Sequence, residues 1–179
     1  WEGCCYISLG TVNNRNLPFY QACIEALRQE SIPVVISVGE QTGLSAFRDV
    51  PEHIFLRPRV DQLAVLARAS VFVTHCGMNS ASEGLYFGVP LVLYPQQAEQ
   101  GLVARRVEEL GAGLRLRRAS PEAIRAAVRQ VREQQSYRSR AREIAAGFRD
   151  AGGYRRGADK ILEAAARGGG ACAENPPML

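Results

Sequence analysis

Short runs of apolar, β-branched residues recur along this chain, separated by longer stretches in which apolar residues lie three or four positions apart. The short runs are continuously hydrophobic, which is typical of strands covered on both faces of a parallel sheet. Strands are predicted at Cys4 to Leu9, Val34 to Val38, Ile54 to Leu56, Val71 to Thr74, Leu91 to Leu93 and Gly113 to Leu116. Their alternation with helices predicts an α/β fold, a doubly wound parallel sheet.

Helical spacing and helix-end signals place helices between and after the strands. Ser120-Pro121-Glu122 combines an N-cap, a first-turn proline and an early acid. Gly111 is expected to be a C-cap glycine. The predicted helices cover Leu17 to Glu30, Asp61 to Ala69, a segment from Ser80 onward, Glu99 to Leu110, Pro121 to Glu133, Tyr137 to Asp150 and Tyr154 to Ala166.

A chain of 179 residues is long enough for one domain with a sizeable core. We predict that this domain occupies residues 1–167. Residues 168–179, which contain three successive glycines and Pro176-Pro177, are predicted to be a disordered tail.

Candidate chemistry is concentrated where the fourth predicted strand meets the next helix, in Thr74-His75-Cys76-Gly77-Met78-Asn79-Ser80-Ala81-Ser82-Glu83. With Asn79 or Ser80 as its N-cap, the helix start would present unpaired amides and a positive dipole end to a phosphate. Two alternatives stay open at this point. Ser80 to Glu83 also fits a capping box in which Glu83 binds no ligand, and His75 also fits a hydrogen-bonded core histidine.

Polar side chains also follow the fifth predicted strand. Gly88 to Pro95 contains that strand, and Glu99 and Gln100 come just after it. Because ligands bind outside the carboxyl ends of strands in open α/β sheets, Glu99 and Gln100 are expected at the same edge of the sheet as His75. Hydrogen-bond donors suited to a phosphate, beside a carboxylate and an amide that can bind hydroxyls, predict a site for a nucleotide sugar.

Motifs in a fixed order carry a family resemblance over nearly the whole chain. They are Tyr6-Ile-Ser-Leu-Gly-Thr11, Val34 to Gly39, Val60 to Leu66, Phe72 to Glu83, Gly88-Val-Pro90, Pro95 to Gln100 and Arg106 to Gly111. With these motifs the chain resembles the UDP-dependent glycosyltransferases of the GT-B fold, most closely the bacterial macrolide-type enzymes. The resemblance implies a Rossmann-like domain that forms the C-terminal, donor-binding half of such an enzyme.

The resemblance implies roles for the residues of the strand-to-helix junction. His75 would contact the donor diphosphate and stabilise the departing charge, and Gly77 would let the backbone approach. The amides of Asn79 and Ser80, with the Ser80 hydroxyl, would bind phosphate oxygens. Glu83 would hold the ribose hydroxyls.

Other matched positions extend the implied donor site towards the nucleoside and the sugar. Thr11 would face the diphosphate and sugar, and Gln62 would lie beside the nucleoside. Glu99 and Gln100 would grip hydroxyls of the transferred sugar. The implied site therefore draws on four separate connections between strands and helices.

The base contact departs from the usual pattern of the family. Arg59, next to Val60, stands where many relatives have tryptophan, three residues before Gln62. An arginine plane can stack on a base, although Arg59 also fits a solvated loop cation. Asp61 replaces the usual proline and is a candidate helix N-cap. The choice between UDP and thymidine diphosphate stays open, while the Glu99-Gln100 pair and the His-Cys-Gly-x-Asn-Ser form resemble those of enzymes that use UDP-sugars.

The implied function is donor binding in an inverting, metal-independent glycosyltransferase that transfers a hexose from a UDP-sugar to a hydroxyl of a small, natural-product-like acceptor. In this family an N-terminal domain supplies the acceptor pocket and a histidine base, so the chain is expected to be half of the enzyme and inactive alone. His53 is not assigned to catalysis. No metal or cofactor is expected, because no aspartates have the Asp-x-Asp spacing of metal-dependent enzymes.

Composition bears on the remaining classes of function. The formal net charge is +4, and nearly all the positive charge is arginine. Arg125, Arg129 and Arg132 recur at helical spacing, which is typical of a solvated helix face. No aromatic platform accompanies them, so nucleic-acid binding is not predicted. No apolar run approaches the length of a membrane span, and no membrane partner is predicted.

Five cysteines without a Cys-x-x-Cys motif predict a reducing, cytoplasmic compartment. Cys4 and Cys5 are expected to face opposite sides of their strand. Cys76 lies beside His75, and we interpret it as a packing residue rather than a nucleophile.

Two other functions stay open. One is a non-catalytic nucleotide-sugar-binding subunit that works with a separate acceptor protein, and it would share every motif above. The other is a regulatory domain that binds the free nucleotide, and it would make no use of Glu99 or Gln100.

Overall fold

The structure is a computed structural model in which residues 1–168 are described. Its strands are β1 (Cys4–Ser8), β2 (Val34–Ser37), β3 (Ile54–Arg57), β4 (Ala69–Thr74), β5 (Leu91–Leu93) and β6 (Gly113–Arg115). Its helices are α1 (Leu17–Leu27), α2 (Gln62–Leu66), α3 (Met78–Tyr86), α4 (Ala98–Glu109), α5 (Pro121–Glu133), α6 (Gln135–Asp150) and α7 (Gly153–Gly168). A 3-10 turn at Leu44–Ala46, which the sequence pattern did not predict, follows β2.

All six strands pair in parallel in the order β3-β2-β1-β4-β5-β6. The predicted doubly wound sheet is therefore confirmed. The strand order reverses between β1 and β4, and this switch point leaves a crevice at the carboxyl ends of the two central strands. Each face of the sheet has its own core cluster. Cys5 packs in one and Cys4 in the other, as their positions on one strand predicted.

Helix α1 ends earlier than predicted, at Leu27, and arginines from α5 bind its carboxyl end. The Arg125 Nε donates to the Ala26 carbonyl at 2.7 Å, and the Arg129 Nε pairs with the nearly buried Glu30 carboxylate at 2.8 Å. A cation is favoured where helix carbonyls lack partners. The prediction that these arginines form a solvated face is thus wrong for Arg125, which is half-buried, whereas Arg129, on the surface of α5, is exposed and pairs with Glu30.

Other helix ends follow their sequence signals. Ser120 caps α5 by accepting from the Ala123 amide at 3.3 Å. Gly111, at φ 71°, closes α4, as predicted. Asp61 accepts from the Ala64 amide at 3.1 Å and so caps α2, which is shorter than predicted.

The chain divides into two compact units, one from Trp1 to Ala145 and one from Ala146 onward. The first contains the whole sheet. The second contains the end of α6 and helix α7. The predicted domain over residues 1–167 stays a prediction. Of the predicted disordered tail, Gly168 ends α7, and residues 169–179 lie outside the described part. Within residues 1–168, no helix is long and apolar enough to cross a membrane.

Candidate functional site

A cavity of about 1060 Å³ opens at the carboxyl edge of the sheet, over the switch point between β1 and β4. Every residue predicted to bind the donor lines it. These are Thr11, Arg59, Val60, Gln62, His75, Gly77, Asn79, Ser80, Glu83, Glu99 and Gln100. Connections that follow β1, β3, β4 and β5 supply them, so the fold brings together residues that are up to 89 positions apart in sequence.

Helix α3 begins earlier than the sequence pattern predicted. Its N-cap is Gly77, whose extended backbone (φ −60°, ψ 141°) turns into the helix and whose carbonyl accepts from the Ala81 amide at 2.9 Å. The prediction of Asn79 or Ser80 as N-cap is therefore wrong, because both already have helical geometry. They lie in the first turn, where amides have no partner within the helix. Several amides at this edge of the cavity are consequently available to an anion.

Cys76 provides the turn between β4 and α3. Its φ of 66° is left-handed, an uncommon conformation for a residue other than glycine. Its amide donates to the Thr74 Oγ1 at 3.2 Å and its thiol to the Thr74 carbonyl at 3.5 Å. Burial raises the pKa of the Cys76 thiol to about 12. A buried, protonated thiol is no nucleophile, in agreement with a packing role.

The His75 ring lies between two glycines. A Cβ on Gly10 would be 2.6 Å from the His75 Cε1, and a Cβ on Gly77 would be 2.5 Å from its Nε2. Neither position can carry a side chain unless the imidazole moves. Gly10 also has a φ of 78°, which independently favours glycine.

Electrostatics keep the His75 imidazole neutral near pH 7. Burial lowers the pKa of His75 because it penalises the charged form, and this effect outweighs the opposing influences of the Ser8 backbone and the Glu99 charge. The Nδ1 of His75 is buried and has no hydrogen-bond partner among the described residues. A neutral imidazole can still donate one N–H hydrogen bond to an anion.

Glu83 is held by a neighbouring side chain and does not cap its helix. The Gln62 Nε2 donates to the Glu83 Oε2 at 2.5 Å, and the Gln62 Oε1 accepts from the Tyr6 hydroxyl at 3.1 Å. Within the described chain, α3 has no side-chain cap. The capping-box alternative for Glu83 is therefore wrong, and its carboxylate belongs to the cavity.

After β5, Gln100 is buried and hydrogen-bonded, whereas its neighbour Glu99 is exposed. Gln100 is 6% exposed, and its Oε1 accepts from the Gln96 amide at 2.9 Å. This contact leaves the Gln100 NH₂ group to donate to a ligand. Glu99, in the first turn of α4, is exposed. Gln96 also joins two connections, since its Nε2 donates to the Asn13 carbonyl at 3.3 Å.

Arg59, in the connection that follows β3, is exposed. Val60 is half-buried and packs against one of the core clusters. Both line the cavity, so a stacking role and a solvated role for Arg59 both stay open.

Sequence reasoning missed the cavity residues that support the predicted ones. Tyr6, Ser8 and Ser37 lie in predicted strands and in motifs of the resemblance, which assigned them no role at the donor, yet they line the cavity. Asn14 is buried, and its Nδ2 donates to the Gly10 carbonyl at 2.9 Å, which fixes the turn after β1. The glycine that follows a strand was the one available signal for this turn.

His53 lies outside the cavity, and its Nε2 is 3.1 Å from the Leu27 carbonyl. Among residues 1–168, no three His, Cys, Asp or Glu side chains are grouped so that they could hold a metal ion.

Comparisons with known proteins agree on one family. The model of the EryCIII-like family, described as the erythromycin biosynthesis protein CIII-like C-terminal domain, matches residues 22–151. An uncharacterised UDP-glucosyltransferase, YojK of Bacillus subtilis (strain 168), is 41% identical over 165 residues, which are 91% of this chain and 41% of that protein.

Solved structures of glycosyltransferases share the fold. The calicheamicin glycosyltransferase CalG4 has a TM-score of 0.87 at 30% identity over 93% of this chain and 44% of that one. Os79 from O. sativa, in complex with UDP, has a TM-score of 0.73 at 25% identity over 80% of this chain and 35% of that one. The chain spans about two fifths of the length of the curated relatives that it matches.

Proposed function

Because the chain belongs to the EryCIII-like family of glycosyltransferase C-terminal domains, we propose that it binds the UDP-sugar donor of a glycosyltransferase. One observation carries this proposal. All the side chains that the family resemblance implies for the donor line a single cavity at the switch point of the sheet. The names of relatives support a uridine donor, since one is called a UDP-glucosyltransferase and another was solved with UDP.

The residues that line the cavity suggest an order for the parts of a bound UDP-sugar. We propose that the diphosphate binds at the start of α3 against His75, and that the ribose hydroxyls bind Glu83. The sugar would then meet Glu99 and Gln100, and the base would lie towards Arg59 and Val60. Thr11 and Gln62 would flank the diphosphate and the nucleoside, respectively.

Chemically, this half of the enzyme would stabilise the leaving group. An acceptor hydroxyl oxygen forms a bond to the anomeric carbon as the bond from that carbon to the diphosphate oxygen breaks, with inversion. The bonding electrons pass to the nucleoside diphosphate, and the hydroxyl proton passes to a base on an N-terminal acceptor domain. Amides at the α3 start and the His75 N–H are fixed before the charge develops. Such donors can replace a cation, so we propose a metal-independent reaction.

The proposal extends to the acceptor and to the cellular compartment. We propose a hydroxyl-bearing, natural-product-like acceptor, in keeping with the erythromycin biosynthesis protein in the family description. A cytoplasmic setting is supported by Cys4, Cys5, Cys23 and Cys76, which are buried and unpaired.

The test is isothermal titration of the 179-residue chain with UDP, UDP-glucose and thymidine diphosphate. We expect UDP and UDP-glucose to bind, and His75→Ala and Glu83→Ala each to weaken binding by about tenfold or more. Glu109→Ala, at an exposed carboxylate outside the cavity, should bind as the wild type does. Addition of EDTA should leave the affinity unchanged.

Opposite results would contradict the proposal. A folded chain that binds no uridine nucleotide, or whose affinity is indifferent to both His75 and Glu83, would show that this cavity is not the donor site. Binding of free UDP without any contribution from Glu99 and Gln100 to UDP-glucose affinity would instead favour a regulatory nucleotide-binding domain.

A further inference from the structure

Tyr6 occupies the centre of β1, yet its hydroxyl reaches the cavity. Its ring is 1% exposed and stacks on Phe72, with centroids 4.8 Å apart and planes 14° from parallel. At the other end, the hydroxyl donates to the Gln62 Oε1 at 3.1 Å. A tyrosine that spans from the core to a ligand cavity is a means of fixing a polar side chain there.

The hydrogen bonds run in one direction. An ionised carboxylate only accepts, so the Gln62 NH₂ group must face Glu83 and its Oε1 must face Tyr6. The phenol is therefore the donor. Burial raises the pKa of Tyr6 to about 12, so the hydroxyl keeps the proton that it donates at neutral pH.

The arrangement has a consequence for the carboxylate. The Glu83 Oε2 is engaged by Gln62, which leaves its Oε1 as an acceptor for the ligand. Without the phenol, the amide of Gln62 could rotate, and the carboxylate would lose a fixed orientation. Discrimination between ligands that differ by one hydroxyl depends on such a fixed acceptor.

We propose that Tyr6 is a positioning residue which, through Gln62, holds the Glu83 carboxylate in the orientation that recognises a ribose, and so makes the cavity prefer ribonucleotides to 2′-deoxyribonucleotides. The inference rests on the proposed function, in which Glu83 receives the ribose. It adds a specificity determinant that does not itself touch the donor.

The test is Tyr6→Phe, which removes one oxygen and keeps the ring on Phe72. Titration of the whole chain with UDP and 2′-deoxy-UDP is expected to show UDP affinity reduced by about threefold to tenfold. Affinity for 2′-deoxy-UDP should change little, so the ratio of the two affinities falls. Tyr20→Phe is the matched control, because Tyr20 is also buried but lies outside the cavity.

A double-mutant cycle shows whether Tyr6 acts through Gln62. In a Gln62→Ala background, Tyr6→Phe should cause no further change in the affinity ratio. In the free chain, the Gln62 side-chain amide resonances should shift in Tyr6→Phe and not in Tyr20→Phe. A merely structural role for the phenol would lower thermal stability without changing the affinity ratio.

The outcomes separate this inference from the proposed function. If the wild type binds neither nucleotide, both are wrong. If the wild type binds UDP through Glu83 and Tyr6→Phe retains the full preference for ribose, the proposed function stands and the role of Tyr6 is overturned.

Discussion

The floor and the rim of the cavity are built differently. On the floor, His75 is confined between two glycines, Glu83 is tied to Tyr6 through Gln62, and Gln100 is buried against the Gln96 amide. On the rim, Arg59 and Glu99 are exposed. The floor would face the diphosphate, the ribose and part of the sugar, and the rim would face the base and the rest of the sugar.

The difference separates side chains that are preorganised from side chains that a ligand must order. Immobilising a long, free side chain costs about 0.5–1.5 kcal/mol on binding, whereas a side chain that is already fixed incurs little of this cost. Changes on the floor should therefore have large effects, and changes on the rim should have small ones. Substitutions on the floor should lower the affinity, whereas a more rigid side chain on the rim can raise it.

The largest effect is expected from Gly77→Ala. The new Cβ would be 2.5 Å from the His75 Nε2, so the imidazole must leave its place. We expect UDP affinity to fall by about 10- to 100-fold in titrations, as for the loss of a hydrogen bond to a charged group. Gly101→Ala is the control, because a Cβ there meets nothing within 4 Å. Unchanged UDP affinity in Gly77→Ala would contradict the role of the confined imidazole.

Neighbouring residues allow a direct comparison of floor and rim. Gln100→Glu keeps the oxygen that accepts from Gln96 and removes the NH₂ donor. We expect the ratio of UDP-glucose to UDP affinity to fall by about threefold to tenfold. Glu99→Gln, on the exposed neighbour, should change that ratio by less than about threefold. Equal effects of the two substitutions would remove the distinction between floor and rim.

At the base end, Arg59→Trp should strengthen binding. A rigid indole stacks on a base at a lower entropy cost than a free arginine, and stacking is worth about 1–3 kcal/mol per base. We expect UDP affinity to rise by about fivefold and pyrophosphate affinity to stay the same. Arg57→Trp, at an exposed arginine outside the cavity, is the matched control. If UDP affinity did not rise, the base would lie elsewhere.

The smallest expected effect is on the pH dependence of the stability of the fold. Burial lowers the pKa of His75 below 6.5, so between its folded pKa and 6.5 the unfolded chain binds more protons than the folded chain. Stability should therefore fall as pH decreases through this window and level off below it. Denaturant unfolding of His75→Gln should show a shallower decline than the wild type. An equal decline would mean that the imidazole is not buried in solution.

Much of the fold was predictable because the sheet is parallel and covered on both faces. Its strands are continuous apolar runs, and β5 was predicted with its observed bounds. Helix ends with side-chain caps, such as Ser120 and Asp61, were also predicted. The start of α3 was not, because its N-cap is a glycine with no side-chain signal and a capping-box pattern lies just inside the helix.

The residues assigned to the donor were predictable from motifs, whereas Tyr6, Ser8 and Ser37 in the cavity wall and the contacts between the lining residues were not. Tyr6 and Gln62 are 56 positions apart, and only the pairing of strands brings them together. Nothing local in the sequence distinguishes a tyrosine whose hydroxyl reaches a ligand cavity from one that is wholly within the core, such as Tyr20. The contact of Arg125 was not predictable for the same reason, because its partner is a helix end 99 residues away.

The hydrogen bond from Arg125 of α5 to the end of α1 has a consequence for the order in which the domain folds. Helix α1 ends in carbonyls that Arg125 satisfies only after about a hundred more residues have been made. The strand order also places β1 at the centre, with later strands added beside it. Contacts so distant in sequence slow the formation of a fold. Helix α1 should therefore reach its native contacts only after α5 has been synthesised.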